Sequence, residues 1–253
     1  MDIQTYLGRI RYDKPVQPNY ETLRRLQRAH MLSVPFENLD IVPLRRPIQL
    51  KEGLLWDKII VRKRGGFCYE LNGMFAWLLK QIGFDVIYLN GRVYREDGSL
   101  GIDFDHLALL VCAPGESQRW LADVGFGDSF LEPLKFEPND DHVESRRAYK
   151  LEQTDSGYTM WQRGFDGTWN HQYFFDLTPR KYPGDYLASC SYHQNPKTSF
   201  FGQKSLITIA TADGRVTMEE NKIIVTKDGQ KTERPINEKE YPGLLKKYFN
   251  IVL

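Results

Sequence analysis

An α+β fold in three successive parts is what this sequence predicts, and three observations carry the prediction. Up to about Phe84 the apolar residues recur at helical spacing. From Asp85 to about Cys190, short runs rich in β-branched and aromatic residues alternate with turn signals. The remainder holds two more such runs and a closing helix. The expected domain boundaries are 1–84, 85–195 and 196–253.

In chain order, Asn19 is a natural N-cap for a helix over Glu21 to His30, and Lys51 to Val61 carries Leu54, Leu55 and Ile59 on a second. Leu71, Met74, Phe75, Leu78, Leu79 and Ile82 follow the i, i+3, i+4, i+7, i+8, i+11 series of a helix with one buried face, and Gly83 stops it. Strands are expected at Val86 to Tyr94, on either side of Pro114-Gly115, and at Tyr149 to Gln153, Tyr158 to Arg163 and His171 to Leu177. Asp155-Ser156-Gly157 and Asp166-Gly167 turn the chain between them. So many short strands in succession point to a barrel or a curled sheet. Leu206 to Thr211 and Ile223 to Thr226 follow around Asp213-Gly214. Asn237 then caps a helix from about Glu238 to Phe249, interrupted early by Pro242.

Cys68 is the residue with the most chemistry. It follows Arg64-Gly65-Gly66-Phe67 and directly precedes the Leu71 helix, so its thiol is expected in the first helical turn. Free N–H groups and the positive end of the dipole there favour the thiolate, the competent nucleophile. The competing reading is a buried structural cysteine. A base and an orienting acid would decide between them. His106 opens the run His106 to Ala113, and Trp120 to Val124 follows the Pro-Gly turn. If the loop is Ala113 to Glu116, Cys112 faces Ser117, Ala108 faces Leu121 and His106 faces Asp123. Directly opposed residues have Cβ atoms about 4.5–5.5 Å apart. That register allows a Cys–His–Asp triad in which Asp123 fixes the imidazole, His106 takes the thiol proton and Cys68 attacks a carbonyl or thioester carbon. A loop one residue longer or shorter turns one side chain to the other face.

These residues resemble the arylamine N-acetyltransferases. Arg64-Gly65-Gly66-Phe67-Cys68-Tyr69-Glu70-Leu71-Asn72 is similar to that family's nucleophile motif, and His30 to Leu39, with Pro35-Phe36-Glu37-Asn38, to a second signature. His106 to Val111, Asp123-Val124-Gly125-Phe126-Gly127 and the opening Tyr6 to Ile10 are of the expected types. The match is looser from Thr198-Ser199-Phe200-Phe201 to Gly214. The resemblance implies a helical bundle, a central antiparallel β-barrel and a C-terminal α/β lid, with a cysteine-protease-like core at the bundle–barrel junction. It implies acetyl transfer from acetyl-CoA to aromatic amines or hydrazines, by a ping-pong route through an acetyl-cysteine. It makes Cys68 the acetyl acceptor, His106 the base and Asp123 the orienting acid. Phe36, Val93 and Phe126 would line the acceptor pocket, with Gly125 and Gly127 admitting CoA or substrate to the backbone. Arg64 and Glu37 would anchor the nucleophile loop. Acetyl-CoA is then a co-substrate, and no cofactor is held permanently. The rival class is a cysteine hydrolase or transglutaminase-like amidase with the same triad, which has no need of the motifs around Pro35 to Asn38 and Val124 to Gly127.

The 253 residues, 41% hydrophobic and 26% charged, suffice for a large core. A net charge of +1 argues against a nucleic-acid surface. No apolar run approaches the roughly 20 residues of a membrane span, and Met1 to Thr5 lacks the character of a signal peptide. Three cysteines fit a reducing compartment, so a cytoplasmic protein is expected. His142, His171 and His193 have no metal-ligand spacing, and no metal site is expected. Cys112 reads as core, and Cys190 as part of a turn-like stretch with no base nearby.

Overall fold

The computed structural model describes residues 1–144, 147–195, 197 and 199–253, so Thr198, the first residue of the looser C-terminal match, lies outside the described residues. Helix α1 (Ile3–Arg9) starts on Asp2, which accepts from Thr5 N. Asn19 does the same for Thr22 N at 3.0 Å and opens α2 (Tyr20–Met31). A two-residue strand β1 (Phe36–Glu37) follows, then α3 (Glu52–Trp56), which winds on into one π turn over Asp57–Val61. Helix α4 (Cys68–Ile82) ends at left-handed Gly83, φ +107°.

Eight antiparallel strands make a barrel-like sheet. They are β2 (Asp85–Val93), β3 (His106–Cys112), β4 (Arg119–Ala122), β5 (Leu134–Lys135), β6 (His142–Glu144), β7 (Arg147–Gln153), β8 (Tyr158–Arg163) and β9 (Trp169–Phe175). Their order is β5-β4-β3-β2-β9-β8-β7-β6. At the seam the Glu144 carboxylate on β6 accepts from the backbone N–H groups of Leu131 and Glu132, just ahead of β5, both at 2.8 Å. Side-chain bonds thus bridge where no ladder does.

Helix α4 departs from the expected one-faced pattern. Every residue from Cys68 to Ala76 is buried, Glu70 and Asn72 included. The reason is that α4 packs against β2 and β3 as well as α1 and α3. Strand β3 is likewise buried on both faces. Leu107, Leu109 and Val111 join the helical core, while Ala108 and Leu110 join the barrel core with Leu121, Met160 and Tyr173. His106 shares the barrel-facing parity of Ala108 and Leu110.

After α5 (Leu187–His193), a second sheet runs β1-β10-β11-β12-β13, from β10 (Leu206–Thr211), β11 (Gly214–Glu219), β12 (Lys222–Lys227) and β13 (Gln230–Pro235). Strands β11 and β13 were not expected: β13 is exposed throughout, and β11 offers only Val216 and Met218 to an apolar core. Asp228 (φ +50°) and Gly229 (φ +82°) form the tight turn between β12 and β13. The closing helix starts later than expected, as α6 (Tyr241–Leu244) and a π turn over Leu245–Phe249. Pro242 stands in its first turn, where its missing N–H costs nothing, rather than interrupting it. Cys190 lies on α5 and is buried, not in a turn, and Cys112 is half-buried at a strand end, its Sγ against the carbonyls of Glu116 and Gln118. Among the described residues no helix is long and apolar enough to cross a membrane.

Burial also sets a pH dependence. His30 is fully buried against Tyr6, whose hydroxyl is 3.2 Å from its Nδ1. Burial, aided by the Arg9 charge, lowers its pKa to about 3. The unfolded chain therefore binds a proton near pH 6.5 that the folded chain refuses. Stability is full above that value and falls as pH drops, by about 2 kcal/mol at pH 5 from this residue. Urea unfolding at pH 7 and pH 5 checks it: His30→Gln should lose markedly less stability than the native chain between the two.

Candidate active site

The lead-in to α4 is shaped by close approach. A Cβ on Gly65 would lie 2.0 Å from the Pro35 carbonyl oxygen, so only glycine fits against the β1 segment. Neither Gly65 nor Gly66 has positive φ, so crowding rather than a special turn dictates them. The Gly66 carbonyl accepts from Glu37 N at 2.9 Å, and the Glu70 carboxylate turns back to accept from Phe67 N at 3.1 Å.

Beneath this loop lies a buried charge cluster that the sequence disclosed only at Arg64 and Glu37. Arg64 Nε donates to Glu37 Oε1 at 2.9 Å. Its Nη2 stands 2.8 Å from the same oxygen and 3.3 Å from Asp40 Oδ1, at ion-pair distance but off the line of a directed bond. Lys58 Nζ reaches Glu70 Oε1 at 2.9 Å and Asp40 Oδ2 at 2.9 Å. Burial works against the Lys58 charge, yet Glu70, Glu37 and Asp40 together raise its pKa above the ordinary lysine value. Burial raises Glu70 as well.

Cys68 is the first residue of α4 and is 6% exposed. Burial opposes the ionisation that the helix N-terminus favours. Burial pushes the thiol well above its ordinary range, the Leu107 N–H that bonds it pulls the other way, and the Asp123 charge adds to the rise. A thiol so placed needs a base to lose its proton. The Leu107 contact also brings it to the residue that follows His106.

His106 and Asp123 meet. His106 Nε2 is 2.7 Å from Asp123 Oδ2. The expected hairpin register is not the observed one: Cys112 pairs with Arg119, not Ser117, and Leu110 with Leu121. Gly115 is left-handed (φ +77°), and Glu116 N closes onto Ala113 O at 3.1 Å. A turn of this hand does not match the strand twist, so pairing resumes only at Arg119. The offset is two residues, which preserves side-chain parity. Asp123, just past β4, is therefore a diagonal rather than a direct neighbour of His106, still within reach on the same face.

Four donors converge on Asp123, which is 0% exposed. Asn72 Nδ2 (2.8 Å) and Gly125 N (2.9 Å) bond Oδ1, while His106 Nε2 and the Tyr173 hydroxyl (3.1 Å) bond Oδ2. A carboxylate only accepts, so Nε2 of His106 carries the proton and Nδ1 is left as an acceptor. Asn72 also donates to Leu107 O at 2.5 Å and accepts from Val124 N at 2.9 Å, clamping β3 to the loop after β4. Sequence reasoning assigned no role to Asn72 or Tyr173. Asn72 had a signal, since it follows Cys68 by four and shares its helix face. Tyr173 had none: only the pairing of β9 with β2, Tyr173 opposite Val93, delivers it.

The 123–127 loop rides on Cys68. A Cβ on Gly125 would lie 2.8 Å from Cys68 Cα and 2.7 Å from Asn72 Nδ2. Phe126 stands edge-on to the His106 ring with centroids 5.0 Å apart, and 5.1 Å from Tyr173. Gly127 (φ +87°) passes the Phe36 ring, which is 5.8 Å from that of Phe201. Val93 and Phe126 are both half-buried at the margin of the barrel core. Phe126 thus stands against His106 and Tyr173, Gly127 against Phe36, and Val93 opposite Tyr173. Asp128 ends the loop in a clamp with Arg147 and Arg215, whose charges outweigh burial and hold its carboxyl below the usual range. A cavity of about 370 Å³ opens there, beside Ser129 and Phe165, and none of Cys68, His106, Asp123 and Phe126 lines it.

A family profile described as N-acetyltransferase matches residues 19–253. The arylamine N-acetyltransferase of Mycolicibacterium smegmatis is 32% identical over 233 residues, spanning 90% of this chain and 84% of the relative. The chain belongs to the arylamine N-acetyltransferase family. The M. smegmatis structure superposes with a TM-score of 0.92 at 30% identity, covering 99% of this transferase and 92% of that chain. A Mycobacterium marinum arylamine N-acetyltransferase in complex with CoA gives 0.91 at 27% identity, covering 99% and 93%. The α+β class, the family and the acyltransferase activity expected from the sequence are therefore borne out, and the hydrolase alternative yields to them.

Proposed function

We propose that the transferase carries an acetyl group from acetyl-CoA to aromatic amines or hydrazines by a ping-pong route through acetyl-Cys68. His106 Nδ1 takes the thiol proton, and the thiolate adds to the thioester carbon. The tetrahedral intermediate then expels CoA thiolate, which regains a proton from the imidazolium. An arylamine repeats the attack on acetyl-Cys68 with His106 again as base. The Cys68 backbone N–H is the oxyanion donor we infer, at the helix start. The observation that carries this reading is the His106–Asp123 pair, its carboxylate held by three further donors, close to a buried thiol. Phe36, Val93 and Phe126 offer an apolar wall to an aromatic ring, so that the amine competes with water for the thioester. Gly125 does not open the backbone to a ligand as expected, because Cys68 and Asn72 fill the space beside it, and Gly127 is buried against Phe36.

We infer a layout of helical bundle (1–84), barrel (85–195) and α/β lid (196–253), with the catalytic core at the bundle–barrel junction in the manner of a cysteine protease. Helix α4 packing on β3 supports that junction. The CoA complex of the M. marinum relative supports acetyl-CoA as co-substrate rather than bound cofactor, and three unpaired cysteines suit the cytoplasm. Incubation with acetyl-CoA alone should add one acetyl group, located by peptide mass spectrometry on Cys68, and an added aniline or hydrazine should remove it as the acetylated product. An acetyl group on another residue, or one that leaves only as acetate whatever amine is present, overturns the proposal.

A further inference from the structure

Tyr69 follows the nucleophile directly and is fully buried. Its hydroxyl donates to the Phe104 carbonyl at 2.6 Å and lies 3.2 Å from that of Asp105, the two residues before His106. Phe104 has φ +58°, a left-handed conformation that bulky side chains rarely adopt and that persists only where neighbours impose it. Its N–H donates to Asn90 Oδ1 at 2.5 Å, and Ser189 Oγ on α5 donates to the Asp103 carbonyl at 2.8 Å. His193 Nε2, also on α5, stands 2.9 Å from Asp105 Oδ1. Of these restraints only the Tyr69 hydroxyl comes from the helix that carries the thiol.

We propose that Tyr69 is a positioning residue: its hydroxyl, bonded to the backbone just ahead of His106, sets the distance between the thiol one residue before it and the imidazole. The inference rests on reading Cys68 and His106 as nucleophile and base. It explains why a strained residue sits at the entrance to β3. The segment is drawn toward the first turn of α4 rather than following the relaxed path, and the imidazole is carried with it. A misplacement of about 1 Å between reacting groups costs on the order of 100-fold in rate.

Tyr69→Phe keeps the ring and removes the link. Its Cys68 should react with iodoacetamide, and load acetyl from acetyl-CoA, roughly 10- to 100-fold more slowly, with the alkylation profile displaced to higher pH and KM for acetyl-CoA within about 3-fold. Ser189→Ala loosens the same segment without touching α4. It should lower the melting temperature about as much as Tyr69→Phe does, yet leave both rate constants within about 3-fold of the parent. Unchanged alkylation and loading in Tyr69→Phe, or equal slowing in Ser189→Ala, would overturn the inference. If the unsubstituted protein fails to load acetyl on Cys68, the proposed function falls. The alkylation comparison still decides whether Tyr69 couples the two side chains.

Discussion

Replacing Asp123 by asparagine is expected to slow acetyl loading and alkylation of Cys68 by about 10³- to 10⁴-fold with the fold intact. The magnitude follows from the direction of four hydrogen bonds. If the new amide nitrogen takes the Oδ1 position, it meets Asn72 Nδ2 and Gly125 N, two donors that cannot turn round. It will therefore take the Oδ2 position, opposite His106 and the Tyr173 hydroxyl, and the hydroxyl can rotate to accept. His106 Nε2 must then accept as well, which moves the imidazole proton to Nδ1 and leaves no base for the thiol. The substitution also removes the charge that stabilises the imidazolium formed on proton transfer. Thermal melts within a few degrees of the parent, beside collapsed alkylation rates, are the expected pair of results. An Asp123→Asn protein that alkylates at the parent rate would remove His106 from the role of base.

Lys58→Met should cost about 3–5 kcal/mol of stability at pH 7.5, a large share of the roughly 5–15 kcal/mol that holds a domain folded. The methionine fits the space but leaves Glu70 without its cation in a fully buried site, and leaves Asp40 to Arg64 alone. Glu70 is already raised by burial with Lys58 present and will rise further without it. A carboxyl whose folded pKa exceeds its unfolded value binds more protons in the native state, so the variant loses stability as pH climbs past the unfolded value and regains it on acidification. The difference between Lys58→Met and the parent should therefore shrink from pH 7.5 to pH 5. Denaturant midpoints and slopes at the two pH values test this, and a deficit independent of pH would argue that lost packing, not the stranded carboxylate, is responsible.

Much of the architecture was legible because periodicity and caps are local. Asn19, Gly83 and the Leu71 to Ile82 stripe marked α2 and α4 to within a residue or two at most ends, and β8 and β10 match the expected Tyr158 to Arg163 and Leu206 to Thr211. Strand β13 escaped notice because it is exposed throughout and has no apolar alternation, and β11 because its alternation rests on only two apolar residues, Val216 and Met218. The hairpin was found but misregistered by two, since the hand of the Pro114-Gly115 turn, not the apolar pattern, decides where pairing resumes.

The amino-acid order by itself determined the residue types of a thiol transferase and placed Cys68 at a helix start, because capping and helical periodicity act over a few neighbouring residues. Tertiary structure alone decided how those residues behave. Burial opposes the ionisation of Cys68, while Asn72 and Tyr173 complete the shell of Asp123 and the Lys58 cluster forms beneath the loop. Solvent exclusion and contacts between segments distant in the chain exist only once α4, β3 and β9 are packed together, and no local pattern records them.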